Sequence, residues 1–304
     1  MAKGNKLAMG MNKHLGRPDK TYGTLYIVGT PIGNLEDITL RALRVLKEVD
    51  VIAAESVQHS RGLCSHYGIR TKLISYNQHN QKVKGAELIS RLKSGESVAL
   101  VTNAGTPGVS DPGVMLSSQA LEENIRVSPV PGPSSVAAAL SISGLRGDKF
   151  VFLGFLSPRA GKRRKELERL ALESRTMVFF EAPHRLRDML GDLKEILGNR
   201  RIIIVREMTK IYEETISGLM SEILDVLEAD QIKGEFTLVV SGNDQTEDGH
   251  CLTQEVEMKI SDLLRENGLS VRDIAKRIAS EDKVSYRNAY RACLAFKNKG
   301  NQSN

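Results

Sequence analysis

Glycine- and proline-rich loops and single acids recur at strand ends in the first half of this chain. Val98 to Val101 is an apolar run that reads as a buried parallel strand. It runs into Thr102-Asn103-Ala104-Gly105-Thr106-Pro107-Gly108-Val109-Ser110-Asp111-Pro112-Gly113. Thr24 to Val28 leads likewise into Gly29-Thr30-Pro31-Ile32-Gly33-Asn34, and Arg126 to Val130 into Pro131-Gly132-Pro133-Ser134-Ser135. Val51 to Ala54 ends at Glu55. Glycine lets main chain approach a ligand with no Cβ in the way, and proline stiffens the loop in advance. Loops of this kind at the carboxyl edge of a parallel sheet hold small charged ligands, whereas a tight turn alone needs one glycine. Glu55 and Asp111 are the acids able to take a proton from a reacting group. They also suit structural roles, Asp111 as a helix cap and Glu55 as the partner of a cation.

The elements that must position these residues follow from periodicity. Between Thr24 and about Leu140, strands alternate with amphipathic helices: Ile38, Ala42, Val45/Leu46 and Val49 share one helical face, and Leu88, Ile89 and Leu92 another. A second set of strands is expected at Phe150–Leu153, Thr176–Phe180, Arg201–Val205 and Phe236–Val240, with helical patterns at 163–172, 184–197 and 218–228. Apolar strands alternating with helices give α/β sheets. The break near Gly144 to Asp148 divides an N-terminal α/β domain (21–145) from a C-terminal one (146–243). Residues 1–20 read as a flexible tail and Gly242 to Gly249 as a linker. Residues 252–298 read as a small helical appendage, in which Val256, Ile260 and Leu263/Leu264 share a face and Ser270 with Asp273 starts a helix carrying Ile274 and Ile278. A last helix is expected from Ser285 through Ala289, Tyr290, Cys293 and Leu294, rimmed by Arg287, Arg291 and Lys297.

At 304 residues the chain has room for two cores. It is 40% hydrophobic and 26% charged, as soluble globular proteins are. No apolar stretch approaches the roughly 18 residues of a membrane span. The N-terminus has lysines without an apolar segment, so no secretory signal is expected. Cys64, Cys251 and Cys293 fit neither a disulfide framework nor a metal motif, so no metal site and a reducing cytoplasm are expected. The formal net charge is +6, and Arg159, Lys162, Arg163, Arg164 and Lys165 cluster directly after the strand at 150. Phosphate contacts favour such clusters, and a solvated face is the plain alternative.

Motifs narrow the ligand. There is no G-x-x-x-x-G-K-[ST] and no G-x-G-x-x-G, nor H-E-x-x-H or G-x-S-x-G. Glu55 sits where a dinucleotide fold would place its ribose-binding acid. Loops of glycine and proline suit a zwitterion held by main-chain groups; S-adenosylmethionine is one, although spacing alone does not select it.

Ordered blocks along the chain carry a family resemblance. They are Gly29-Thr30-Pro31-Ile32-Gly33-Asn34-Leu35, Asp37-Ile38-Thr39, His66-Tyr67-Gly68-Ile69, Ala104-Gly105-Thr106-Pro107, Ser110-Asp111-Pro112-Gly113 and Pro131-Gly132-Pro133. Gly154-Phe155-Leu156, Phe180-Glu181-Ala182-Pro183-His184-Arg185, Arg206-Glu207-Met208-Thr209-Lys210 and Lys233-Gly234-Glu235-Phe236 follow. From about Gly23 to Gly242 the chain resembles the small-subunit ribosomal RNA methyltransferase I family, cytidine 2′-O-ribose methylases of the tetrapyrrole-methylase (class III) fold. The resemblance implies a homodimer of two α/β domains with a small C-terminal helical appendage, and S-adenosylmethionine in the cleft between the domains. The substrate it implies is a cytidine ribose in the decoding region of 16S rRNA, within the 30S subunit.

Carried onto this sequence, the resemblance assigns the cofactor to Pro31, Gly33, Asn103, Ala104, Gly105, Thr106, Pro107, Val109, Ser110, Pro133 and Ser134 on the methionine side. Phe180, Glu181, Gly234, Glu235 and Phe236 fall on the adenosine side. Arg61, Arg159, Lys162, Arg163, Arg164, His184 and Arg185 are the expected RNA contacts. The methyl arrives activated, so the protein mainly positions the reactants, and a base for the poor 2′-hydroxyl nucleophile adds about 10²–10⁴-fold. Glu55 and Asp111 are the candidates.

The chain departs from the family at two blocks. Thr102-Asn103 stands where the family usually has Ser-Asp, and Ser56-Val57-Gln58 where it has Asp-Thr-Arg. If position 103 only hydrogen-bonds the cofactor, losing the charge costs on the order of 1 kcal/mol. Losing the arginine at 58 removes a carboxylate or phosphate fork, for which Arg61 is the nearest substitute. These departures keep open a weakly active or inactive RNA- or cofactor-binding protein. A small-molecule tetrapyrrole-type methylase is the other alternative, and the basic run and the Phe-Glu-Ala-Pro-His-Arg block argue against it.

Overall fold

A computed structural model of the chain describes residues 22–226, 233–243, 254–265, 269–282, 289–290, 292–294 and 296. The chain divides into two compact units, at Ser135 and Val136. The first carries five strands, β1 (Thr24–Val28), β2 (Val51–Ala54), β3 (Lys72–Ser75), β4 (Val98–Val101) and β5 (Arg126–Val130), all parallel in the order β3-β2-β4-β1-β5. Helices α1 (Leu40–Glu48), α2 (Val57–His66), α3 (Gln81–Lys93) and α4 (Val114–Glu122) connect them.

Period-two alternation explains why β2 and β4 are apolar throughout. Ile52, Ala54, Ala99 and Val101 pack with Ala42, Leu46 and Leu63 of α1 and α2. Val51, Ala53, Val98 and Leu100 point the other way and pack with Leu88, Leu92 and Leu116 of α3 and α4. With both faces covered, no position is left for a polar side chain. β3 was not anticipated, because Lys72-Leu73-Ile74-Ser75 is a short edge strand with exposed Lys72.

The second unit begins earlier than the Gly144–Asp148 break. In α5 (Ser135–Ile142), Ala139 packs with Val178, Ile203, Val205 and Val239 of the second sheet, and Val136 and Leu140 join it. That sheet has β6 (Phe150–Phe155), β7 (Thr176–Glu181), β8 (Arg201–Arg206), β9 (Glu214–Leu219) and β10 (Phe236–Val240), in the order β6-β7-β10-β8-β9. β6 and β7 run parallel, while β10 is antiparallel to β7 and β8, and β8 to β9. β9 is the strand that periodicity missed: Glu-Thr-Ile-Ser-Gly-Leu is polar, contains glycine and lies at an edge. Helices α6 (Ala160–Glu168), α7 (Leu186–Leu197) and α8 (Met220–Val226) bury Leu167, Leu190, Leu193 and Ile223 against Met177, Phe179, Ile204 and Leu238.

In the helical segment, Val256, Ile260 and Leu263 of α9 (Gln254–Arg265) pack with Ile274, Ala275 and Ile278 of α10 (Val271–Glu281), and with Ala289 and Cys293. The Ser270 hydroxyl caps α10, accepting from the Asp273 N–H at 3.2 Å. The expected tail at 1–20, the linker stretch 244–249, Cys251, Ser285, Arg287, Arg291 and Lys297 lie outside the described residues. No helix among the described residues is long and apolar enough to cross a membrane.

Candidate functional site

All five strands of the first sheet run the same way, so their carboxyl ends share one edge. Because β1 lies between β4 and β5, the loops after these strands meet there. The Thr30 N–H donates to Gly105 O at 2.9 Å and the Gly105 N–H to Thr30 O at 3.1 Å. The buried Thr30 hydroxyl lies within 3.2 Å of Thr102 O and 3.3 Å of Gly105 O. On the other side, the Gly29 N–H donates to Val130 O at 3.0 Å. There a Cβ on Gly132 would stand 2.8 Å from Gly29 O, so the two loops can touch only as glycines. Gly105 and Gly108 take φ of +74° and +85°, and Ser110 φ of +61°, which folds the β4 loop back on itself.

The two acids come together at this edge. Glu55, just past β2, accepts the Asn103 N–H at 3.1 Å on Oε2. Burial and the neighbouring Glu55 carboxylate push the Asp111 carboxyl up to about 6, and a hydrogen bond with Thr102 pulls the other way. Neither acid takes the structural role open to it. The N-cap of α4 is Gly113, without a side-chain cap, and Glu55 has no cation partner among the described residues. A carboxyl titrating near neutrality suits proton transfer. Beside it, Asn103 Oδ1 is buried and accepts from no described residue. Such an orphan acceptor calls for a donor from outside the chain.

Ser56 replaces an acid without loss of structure: its hydroxyl caps α2, accepting from the His59 N–H at 3.3 Å, as an aspartate would. Gln58 and Arg61 are exposed on that helix. Tyr67 donates to Leu35 O at 2.7 Å and Thr39 caps α1, so those two blocks of the resemblance brace the β1 loop. Pro31, Pro133 and Ser134 are half-buried, while Gly33 and Val109 are exposed.

In the second unit, Glu181, Arg206 and Phe236 are in register where β7 and β8 end and β10 begins. Glu181 is buried; that desolvation raises its carboxyl above the usual range, against the Ala182 N–H at 2.8 Å and Arg185. Gly234 at φ +97° brings main chain to Glu207, whose side chain a Cβ there would meet at 2.6 Å. Lys210 belongs to one of the resemblance blocks but stands out in the sequence by no spacing of its own. It donates at 3.0 Å to both Glu207 Oε1 and Glu235 Oε2. The Phe180 ring is half-buried between Phe152 and Phe155. Phe236 is instead a core side chain, packed with Leu190 and Leu238, so only its main chain remains for a ligand.

The basic run is corrected in part. Arg163 is buried and donates to Asp192 Oδ2 at 2.7 Å, because α6 turns that face toward α7. Arg164 is held by Asp192 and Glu195. Arg185 is also committed to the fold, donating to Leu156 O at 2.8 Å and to Glu181 at 3.2 Å. Arg159, Lys162, Lys165 and His184 are exposed. Among the described residues no group of three or more His, Cys, Asp and Glu could hold a metal ion.

Comparison with known proteins agrees with this geometry. Residues 24–224 match the model of the tetrapyrrole (corrin/porphyrin) methylases. The ribosomal RNA small subunit methyltransferase I of Halalkalibacterium halodurans is 48% identical over 75% of this chain and 78% of that protein. Its namesake in Neisseria meningitidis is 40% identical over 94% of this chain and 99% of its own length. Uroporphyrin-III C-methyl transferase from Thermus thermophilus, complexed with S-adenyl homocysteine, matches with a TM-score of 0.54 at 20% identity, over 72% of this chain and 97% of that one. Diphthine synthase matches with a TM-score of 0.55 at 14% identity, over 72% and 90%. These last two show the fold alone. The chain belongs to the ribosomal RNA small subunit methyltransferase I family, within the tetrapyrrole methylases.

Proposed function

We propose that the protein transfers a methyl group from S-adenosylmethionine to the 2′-oxygen of a cytidine ribose in the decoding region of 16S rRNA. The observation that carries this reading is the juxtaposition of Glu55, Asp111 and the orphan Asn103 Oδ1 on a glycine-lined sheet edge, in a chain 48% identical to a ribosomal RNA methyltransferase. The residues fit the cofactor. An ammonium or hydroxyl donor would satisfy Asn103 Oδ1, and the positive-φ glycines of the β4 loop bring main-chain groups within reach of a zwitterion.

When bound, S-adenosylmethionine supplies an electrophilic methyl on a sulfonium. Asp111, ionised above about pH 6, would take the proton of the 2′-hydroxyl and so free its oxygen to accept that methyl. Glu55 holds the Asn103 main chain and tunes Asp111 by its charge. The exposed cations Arg61, Arg159 and Lys162 and the exposed His184 meet RNA phosphates. The protein acts as a homodimer in the cytoplasm, on rRNA within the 30S subunit.

The test is purified protein with methyl-labelled S-adenosylmethionine and 30S subunits lacking the modification, with label mapped by nucleotide. Label on a decoding-region cytidine ribose is expected. Binding of cofactor without any label would return the chain to the binding-protein reading.

A further inference from the structure

At the opposite end of β10 from Phe236, the second unit has a cavity of about 380 Å³ that takes no part in the site at the Glu181 edge. It opens where β6, β7 and β8 begin and β10 ends, since Val240 pairs with both Met177 and Ile202. Four cations line it, Arg146, Lys149, Arg175 and Arg201, against the single carboxylate Asp148. Two of the four are engaged: Arg175 is paired with Glu173 at 2.7 Å, and Arg146 lies 3.6 Å from Asp148. Lys149 and Arg201 are exposed and have no carboxylate partner among the described residues.

The walls are built before any ligand arrives. The Ser241 N–H donates to Arg201 O at 2.9 Å and the Thr176 hydroxyl to Arg146 O at 2.6 Å. Gly242 passes so close to the segment leading into β7 that a Cβ would lie 1.9 Å from Ser174 O. Beneath them Arg200 donates to Glu173 O at 3.2 Å and Ala171 O at 2.6 Å, tying the strand entrances together. A cavity of this volume is in the range of small-ligand sites, and its charge selects an anion. Because β10 has five residues, the cavity lies about 16 Å from the Glu181 edge at roughly 3.3 Å per residue.

We infer that this cavity is a phosphate site, in which Lys149 and Arg201 hold a phosphodiester of the RNA away from the nucleotide that reacts. The inference rests on the RNA-methyltransferase reading for the identity of the polyanion, while its test reads binding rather than methyl transfer. The full chain and the double variant Lys149→Ala/Arg201→Ala are titrated onto a transcribed decoding-region 16S fragment over a range of salt. Without these two cations the slope of log affinity against log salt flattens by about 0.7, the value for one neutralised phosphate on single strands. S-adenosylmethionine binding by calorimetry stays unchanged, which shows that the variant is folded. The charge-preserving Lys149→Arg/Arg201→Lys retains the slope; a slope flattened equally in both variants would overturn the inference, because charge would then not be the cause. An unchanged slope in the alanine variant would overturn it too, whether or not the native protein methylates 30S subunits. Cytidine 5′-monophosphate that binds the native chain and not the alanine variant, with the RNA slope unchanged, would assign the cavity to a free nucleotide and reject the RNA. Failure of methyl transfer with the slope effect intact would remove the enzymatic reading and leave the phosphate site.

Discussion

Arg163 Nε donates to Asp192 Oδ2 at 2.7 Å with both side chains largely out of water, so the most basic stretch of the chain is anchored to its own α7. Removing one partner of a buried pair strands the other charge and costs about 3–5 kcal/mol. Asp192→Ala, which strands buried Arg163, should lower the urea midpoint accordingly; Arg163→Ala should lower it less, because Arg164 still pairs with Asp192 at 2.8 Å, and Arg159→Ala/Lys162→Ala should leave it unchanged and weaken RNA binding. Equal stability of all these variants would show that the pair does not hold α6 to α7.

Asp111 gives the pH dependence. Its folded carboxyl is raised from 3.8 to about 6, first by burial and then by Glu55. The folded state therefore holds a proton that the unfolded chain gives up between these values. Asp111 opposes folding above about pH 6, and that opposition fades as pH falls toward 4. Asp111→Asn should raise the melting temperature at pH 8 and not at pH 4. As a base, Asp111 works only when ionised, so methyl transfer should rise through about pH 6 and then level. The asparagine variant should lose roughly 10²–10⁴-fold in single-turnover rate. An unchanged rate in that variant would assign the base elsewhere.

Glu55→Gln separates charge from scaffolding. Glutamine can still accept the Asn103 N–H, but it removes the negative charge beside Asp111. The acid limb of the rate profile should move below about pH 6 while the melting temperature changes little. A limb that stays in place would mean that burial alone raises Asp111.

Asn103→Ala tests the orphan acceptor. Its Oδ1 is buried without a partner in the chain, so truncation deletes no internal hydrogen bond of that atom. S-adenosylmethionine affinity should fall about tenfold, the equivalent of one hydrogen bond of about 1.4 kcal/mol. The unliganded protein should be no less stable than the native chain. Calorimetry and thermal unfolding read the two effects separately.

Gly132→Ala attacks the meeting point of the loops itself. The new Cβ would meet Gly29 O at 2.8 Å, a main-chain atom that moves only with its strand. Overpacking of this kind costs about 1–3 kcal/mol. A loss of stability with weaker S-adenosylmethionine binding is expected, whereas Gly161→Ala, in α6 with nothing within 4 Å, should leave cofactor binding unchanged and cost no stability.

How much the sequence alone could tell follows from the range of each interaction. The parallel strands and their helices were readable because the apolar runs Val51–Ala54 and Val98–Val101 record burial on both faces, and helix faces such as Ala42, Val45 and Leu46 repeat with the helical period. The Ser270 cap was readable because it is local. The loops after β1, β4 and β5 were readable from glycine and proline, whose backbone restrictions are intrinsic. β3 and β9 were not, because edge strands bury little and leave no pattern. What only the tertiary structure decided is which charges meet. Asp111 became a raised carboxyl because the folded loop buries it and because β2, beside β4, brings Glu55 to it; Arg163 left the RNA-facing set because α7 presents Asp192 to it; and Lys149 and Arg201 line one cavity because antiparallel β10 ends where β6, β7 and β8 begin. Charge pairing depends on distance in space, and a one-dimensional pattern carries the period of an element but not its neighbour.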